Sequence, residues 1–499
     1  MSQETVDVVQ PVRKKSRYLW YVVGFVLCVL SVANHWNVAV AAFVWPFCFL
    51  HVVRSSEKPA GSLALVWGLM LVANAIKYVD TFEEASNWLC IPVGALIALL
   101  QIIPFILDSV FAKRLKGVSS TLVFPLAFAT VDMVQLLKPL TQSNLGFSQI
   151  DNLPLLQTVS LLGILSLTFL VAWAAPVCED ALVEYSHGKS IAKSLVVYVA
   201  VLLGLSFYGG LRLSFATPVA KVNTVRVATA HGTSDNSYLE AEEEIAPPLT
   251  DVISDVRHDV AAAKAVDAQI LVWSEETYQV YARDEKALLA EVQQLAKANE
   301  MYLLIGLDIH PGLDAPEDAT WYNQSYFYGP DGALQWKYVK NNLVPLMEEG
   351  YYDSAQAPAV VDTPYGKIAS MICYDADHPN FVAKIPPQTD ILLLPSWDWK
   401  AITWNHTSTV VNARAVEQGV NMVRCTLEGQ TIAVNYLGER LSESDGYTTS
   451  KDLVGVVDIP VQGRVTVYSY IDKVVNWLWP VALLALCLYA GLRTKHREK

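Results

Sequence analysis

The feature that most constrains this chain is the uneven placement of its apolar residues. Residues 1–215 and 474–493 are dominated by long hydrophobic runs, whereas 217–472 reads as an ordinary water-soluble sequence. A helix crossing the hydrocarbon core of a bilayer needs about 20 mostly apolar residues, and it must bond its own backbone groups internally. Seven such runs precede the soluble block, near 18–34, 38–53, 60–78, 89–111, 119–137, 155–177 and 191–213, and an eighth follows at 475–493. The first has a basic lead (Arg13, Lys14, Lys15, Arg17) but no small-residue cleavage site, and further spans follow at once. It therefore reads as a span and not as a cleavable signal.

Loop charges orient the spans, because Lys and Arg stay on the cytoplasmic side. The N-terminus, the second connection (Arg54, Lys58), the fourth (Lys113, Arg114, Lys116) and the tail (Arg493, Lys495, Arg497, Lys499) are basic. The third connection is acidic (Asp80, Glu83, Glu84), and the sixth is mixed (Glu179, Asp180, Glu184, Lys189, Lys193). The pattern predicts a membrane domain over 1–215 with about seven spans, a domain outside the cytoplasm over 217–472, an eighth span at 475–493 and a cytoplasmic basic tail at 494–499. Both termini are expected in the cytoplasm. Asp108 and Asp132 fall inside expected spans, where an acid is a functional candidate by default.

The 499 residues are 53% hydrophobic and only 17% charged, which excludes a disordered chain. The net charge of −13 argues against a nucleic-acid partner. That charge is not shared evenly: 217–472 holds 17 Lys and Arg against 36 Asp and Glu, and the remainder holds 19 against 13. Seven cysteines, an odd number, do not form a disulfide framework pattern.

The soluble block alternates strands and helices, as an α/β domain does. Strands are predicted at 225–230, 270–273, 302–307, 321–328, 334–339, 367–372, 390–394, 421–425 and 430–436, with helices at 239–266, 284–299 and 405–418. Glu240, Glu242, Glu243 and Glu244 suit the start of the first helix, and Pro330-Asp331-Gly332 is a hairpin turn.

Three short stretches each follow a strand: Trp273-Ser274-Glu275-Glu276, Lys340-Asn341-Asn342-Leu343-Val344-Pro345 and Ile372-Cys373-Tyr374-Asp375. Singly each is ordinary, since a lone cysteine is usually a small buried hydrophobe. Together, a Glu, a Lys and a Cys in that order at strand ends resemble the carbon–nitrogen hydrolase (nitrilase) superfamily. The stretch from Asn323 to Gly332, Pro379, and the runs 390–397, 412–419 and 423–426 resemble its neighbouring segments. Membrane spans on both sides of such a domain resemble the apolipoprotein N-acyltransferase family. So do 146–151, 154–157 and Gly163, which look like that family's stretch entering its sixth span.

The resemblance implies an αββα sandwich beside a multi-span α-helical domain, in a bacterial inner membrane. It implies catalytic Glu275, Lys340 and Cys373. Glu275 would be the general base, Cys373 the nucleophile that carries a thioester, and Lys340 with the backbone N–H of Tyr374 the oxyanion donors. Glu348 would position Lys340 or the thiol. Tyr374 and Asp375 would support the nucleophile. The implied partners are a phospholipid acyl donor, a diacylglyceryl lipoprotein acceptor and membrane lipids, with no metal or cofactor and a monomeric protein. The chain departs from the family pattern at Asn342 (usually His), at Leu346-Met347 before Glu348 (usually Phe-Gly) and at Asp375 (usually Glu). These departures fall on loops that would touch substrate, so the acceptor is the open point. The alternatives are a membrane-tethered amidase or nitrilase acting on a small amide, a divergent paralogue with another acceptor, and a binding or assembly protein on a degenerate scaffold.

Overall fold

The structure, a computed structural model, describes residues 14–33, 35–79, 87–137, 139, 144–186, 192–232, 246–312, 315–316, 319–345, 347–348, 350–398, 403–445 and 453–497. Arg13, Asp80, Glu83, Glu84, Lys189, Glu240, Glu242, Glu243, Glu244, Leu346 and Lys499, together with the side chains of Lys14, Lys15, Lys495 and Arg497, lie outside the described part. The chain divides into two compact units, 1–212 with 474–499, and 213–473.

In the first unit every expected span coincides with helix, but not every helix is long enough to cross. Five pass on length and apolarity: Pro59–Lys77, Asn87–Arg114, Gly117–Gln135, Ile164–Ser186 and Lys193–Lys221. Helix Leu478–Arg493 makes a sixth if it forms one span with Tyr468–Val475, which begins in the second unit. The first two expected spans are helices Lys14–Leu30 and Ala39–Arg54, only 17 and 16 residues long. The reason is local. Apolar residues after Leu30 are spent on a turn, where Val38 N–H donates to Leu30 O at 3.0 Å and Trp36 Nε1 donates to Val29 O at 2.7 Å. The sixth expected span, 155–177, is broken at Gly163, whose φ of +73° favours glycine, and its helix runs on to Ser186. Gly146 is needed for close approach: a Cβ there would lie 2.7 Å from Ile164 O.

The core of this unit is aromatic, with Trp45, Phe49, Phe105, Phe124 and Phe128 buried and meeting largely edge to face. Its buried acids are bonded. Asp108 receives Arg54 through two bonds of 2.8 and 2.7 Å, and Glu179 meets His51 at 2.7 Å. Asp132 accepts from Thr168 Oγ1 at 2.7 Å, Leu145 N–H at 3.0 Å and Gln135 Nε2 at 3.2 Å.

In the second unit thirteen strands are described: β1 Thr224–Ala230, β2 Ile270–Trp273, β3 Tyr278–Tyr281, β4 Tyr302–His310, β5 Tyr322–Tyr328, β6 Leu334–Val339, β7 Ala359–Thr363, β8 Gly366–Ser370, β9 Ile391–Trp397, β10 Asn421–Leu427, β11 Gln430–Val434, β12 Arg440–Asp445 and β13 Gly455–Pro460. They form two mixed sheets, β13-β1-β2-β4-β5-β6 with β3 on β4, and β12-β11-β10-β9-β8-β7. Alternation along the strands makes two layers of core. Val225, Val227, Ile270, Val272 and Leu304 face the residues of β8, β9 and β10. Their neighbours Ala228, Leu271, Trp273, Leu303 and Ile305 face helices Leu249–Ala265 and Ala282–Asn299. Helix Thr403–Gln418 covers the second sheet through Val410, Val411 and Ala415. The unit is therefore the expected helix–sheet–sheet–helix sandwich. The helix predicted over 239–266 begins only at Leu249: Ala246, Pro247 and Pro248 are not helical, Pro248 being extended at φ −56° and ψ 134°, and 233–245 lie outside the described residues. Strands β3, β7, β12 and β13 were not legible beforehand.

Candidate active site

Glu275 comes two residues after Trp273, the end of β2, Lys340 directly follows β6, and Cys373 follows β8. The two sheets bring these ends together, and Glu275 N–H donates to Ser396 O in β9 at 3.3 Å. All three side chains are at least nine-tenths buried. An ionised group in such a place needs a partner, because removing it from water costs several kcal/mol.

Lys340 has two. Its Nζ donates to Glu275 Oε1 and to Glu348 Oε1, each at 2.7 Å. Burial works to discharge the ammonium, but Glu275 and Glu348 outweigh it and hold the pKa well above its ordinary value. Glu348 is fixed in turn by Val344 N–H, 2.5 Å from Oε2. Asn323, on β5, ties the two carboxylates from a third side. Its Nδ2 donates to Glu275 Oε1 at 2.7 Å and to Glu348 Oε1 at 3.3 Å.

Cys373 opens a short 3₁₀ turn, Cys373–Asp377, at a φ of +44°. A non-glycine residue there costs about 1–3 kcal/mol, and such strain concentrates at functional sites. Asp375 clamps the turn. Its Oδ2 accepts from Tyr338 OH at 2.6 Å and Ile372 N–H at 3.1 Å, and its Oδ1 accepts from the backbone and side-chain amides of Asn342, both at 2.8 Å. Burial lifts the Asp375 pKa to about 6 against these donors. The departures at positions 342 and 375 thus meet as one bonded pair, joining the lysine loop to the nucleophile turn. The Tyr374 ring stands beside them, edge-on to His378. The third departure, Met347, is exposed.

The thiol and the base both bond to the Trp397 backbone, through the two peptide groups that flank its Cα. Cys373 Sγ donates to Trp397 O at 3.6 Å, while Trp397 N–H donates to Glu275 Oε2 at 2.8 Å. Burial and then Glu275 push the thiol well above its ordinary pKa, while Lys340 and Arg424 oppose them. At neutral pH the sulfur keeps its proton, so reaction needs a base.

Sequence reasoning gave no catalytic part to Asn323, the Trp397 peptide, Arg424 or Glu276. Arg424, on β10, makes a buried two-bond pair with Asp398 at 2.7 and 2.8 Å, directly after Trp397. Glu276 sits at a φ of +48° with a buried Oε1 that has no hydrogen-bond partner among the described residues. Burial, Asp308, Glu275 and Glu348 raise its pKa well above the carboxylate range. Asp308 holds His310 Nε2 at 2.8 Å and Tyr351 OH at 3.3 Å. In the sequence, Glu276 is the second Glu of the 273–276 stretch, and Asn323, Trp397 and Arg424 fall in the family-like segments 323–332, 390–397 and 423–426. The arrangement as a whole can deprotonate a thiol, hold a cation against developing negative charge, and receive a second proton.

Comparison with known proteins agrees with both halves. Residues 227–464 match the carbon-nitrogen hydrolase family, and residues 19–177 match the apolipoprotein N-acyltransferase N-terminal domain. The apolipoprotein N-acyltransferase of Geobacter metallireducens is 23% identical over 84% of this chain and 85% of its own. That of Photobacterium profundum is 23% identical over 91% and 89%. A solved amidase from Nesterenkonia sp. is 20% identical over 52% of this chain and 97% of its own, with a TM-score of 0.38.

Proposed function

Because the chain belongs to the family that joins an apolipoprotein N-acyltransferase N-terminal domain to a carbon-nitrogen hydrolase domain, we propose that it is an N-acyltransferase. It moves a fatty acyl chain from a phospholipid to the α-amine of a diacylglyceryl-cysteine lipoprotein through a thioester on Cys373. The observation that carries the reading is the Lys340 ammonium, 2.7 Å from both Glu275 and Glu348, with Glu275 and the Cys373 thiol both bonded to the Trp397 backbone.

In the first half-reaction Glu275 takes the Cys373 proton and the sulfur attacks the ester carbonyl. Lys340 and the Tyr374 N–H receive the charge on the carbonyl oxygen, a kind of contact worth roughly 3–4 kcal/mol per donor. The tetrahedral species expels the lysophospholipid alkoxide, which recovers the proton from Glu275, and the thioester remains. In the second half-reaction the acceptor amine attacks the thioester, Glu275 removes the amine proton, and the thiolate leaves and is reprotonated. The product is an amide and the enzyme is restored. Glu348 positions Lys340, and Asp375 positions the turn that carries Cys373 and Tyr374.

Membrane helices fit substrates with fatty chains. The basic connections support cytoplasmic termini and a catalytic domain on the far side of the bacterial inner membrane. Incubating the purified protein with phospholipid and measuring intact mass tests the first half-reaction. The expected result is one acyl adduct that maps to Cys373. A folded protein that never acquires it contradicts the proposal.

A further inference from the structure

A cavity of about 370 Å³ lies in the second unit, apart from the catalytic groups, lined by residues 217, 219, 221–223, 435–437 and 460–464. Two of its lining residues, Lys221 and Arg464, are cations, and none is an acid. That is unusual in a block with 36 Asp and Glu against 17 Lys and Arg. Both cations are exposed, and neither has a carboxylate partner among the described residues. The nearby acids are engaged elsewhere. Asp390 accepts from Gly463 and Lys367 N–H, and Glu439 accepts from Asn435 Nδ2.

The walls are built and not accidental. Buried Asn421 donates through Nδ2 to Pro460 O at 2.9 Å and Gln462 O at 3.0 Å, and its Oδ1 accepts from Tyr436 N–H at 3.1 Å. Val461 N–H donates to Asn223 O at 3.0 Å, which joins the third wall. Chain connectivity keeps the cavity near the bilayer. Thr217 comes three residues after helix Lys193–Ser214, within the candidate span Lys193–Lys221, and Arg464 comes four before helix Tyr468–Val475, which leads to the apolar helix Leu478–Arg497. At no more than about 3.6 Å per residue, those links reach only about 10–15 Å.

We infer that this cleft binds the phosphate-bearing headgroup of an anionic phospholipid, gripping it with Lys221 and Arg464 at the bilayer surface. Guanidinium and ammonium donors recognise phosphate oxygens, and a basic side chain near an anionic membrane adds attraction. The inference is independent of the chemistry at Cys373. It predicts a lipid site that the catalytic reading does not require.

The test uses the full chain in phosphatidylcholine nanodiscs doped with a headgroup-photoactivatable phosphatidylglycerol, followed by peptide mapping. Cross-links are expected in 217–223, 435–437 and 460–464. The double variant Lys221→Gln with Arg464→Gln should cut them about tenfold or more, leaving labelling of the spans and alkylation of Cys373 unchanged. Labelling no greater than with a photoactivatable phosphatidylcholine overturns the inference, as does labelling that survives the double variant. Millimolar inorganic phosphate is the second arm. Persistence of the cross-links supports a lipid headgroup, and their loss assigns the cleft to free phosphate and overturns the lipid assignment.

Discussion

Both units bury matched ion pairs, Arg54 with Asp108 in one and Arg424 with Asp398 in the other, but they differ in one cluster. In the membrane unit the described buried acids are each bonded: Asp108 by Arg54, Asp132 by three donors, and Glu179 by His51 at Oε2, with its Oε1 left unbonded among the described residues. In the soluble unit Lys340 faces Glu275 and Glu348 together, with Glu276 and Asp308 adding to the acid nearby. A matched pair secures helices against one another. An unmatched cluster stores the capacity to move protons, and its cost is accepted because chemistry uses it. The lesson concerns Asp108 and Asp132. An acid inside a span is a candidate for function, yet here both are spoken for by neighbouring helices and loops.

Substitutions can break this contrast. The largest effect is expected from Cys373→Ala, which should lower acyl transfer by about a thousandfold or more with little change in stability. Cys425→Ala, in the other buried cysteine of that unit, should leave the chemistry intact, since its sulfur bonds to Ala230 O and to Thr431 and to none of the catalytic groups. Next, Lys340→Met and Arg54→Met should each cost about 3–5 kcal/mol in stability, because each strands a buried carboxylate. Thermal unfolding measures that loss, and turnover per folded molecule separates the two. It should collapse for Lys340→Met and hold for Arg54→Met. Turnover that falls in Arg54→Met without a loss of stability would erase the distinction between the units.

A smaller effect is expected from Arg424→Lys. The shorter cation keeps its charge but loses the two-bond grip on Asp398, so the Trp397 peptide shifts and kcat drops about ten- to a hundredfold at nearly constant KM. The smallest is a shift in titration. Glu275 raises the Cys373 pKa; removing its charge in Glu275→Gln should therefore move the midpoint of Cys373 alkylation to lower pH, even as turnover fails. Iodoacetamide labelling across pH, read by mass, checks the sign.

Much of this was legible in the sequence for a physical reason. Apolar runs and strand ends are local signals, so the helices and the placement of Glu275, Lys340 and Cys373 followed from pattern. What makes a run fall short of a span is also local but fainter, as the Trp36 to Val29 bond and the left-handed Gly163 illustrate. The supporting groups were hidden because they depend on register. Asn323 meets Glu275 and Glu348 only through the pairing of β4, β5 and β6, and Arg424 meets Asp398 through the parallel alignment of β9 with β10. Strand β13 pairs with β1 across more than 200 residues, which no window of sequence reveals.

The central claim is that Cys373 passes an acyl group to an amine. The most direct measurement isolates the acyl-enzyme and adds a diacylglyceryl-cysteine peptide in one portion and a peptide-free buffer in another. Loss of the adduct with one equivalent of N-acylated peptide, and slow loss in buffer, is the predicted result. Equal discharge to free fatty acid in both portions, with no acylated peptide, would contradict it and leave a hydrolase.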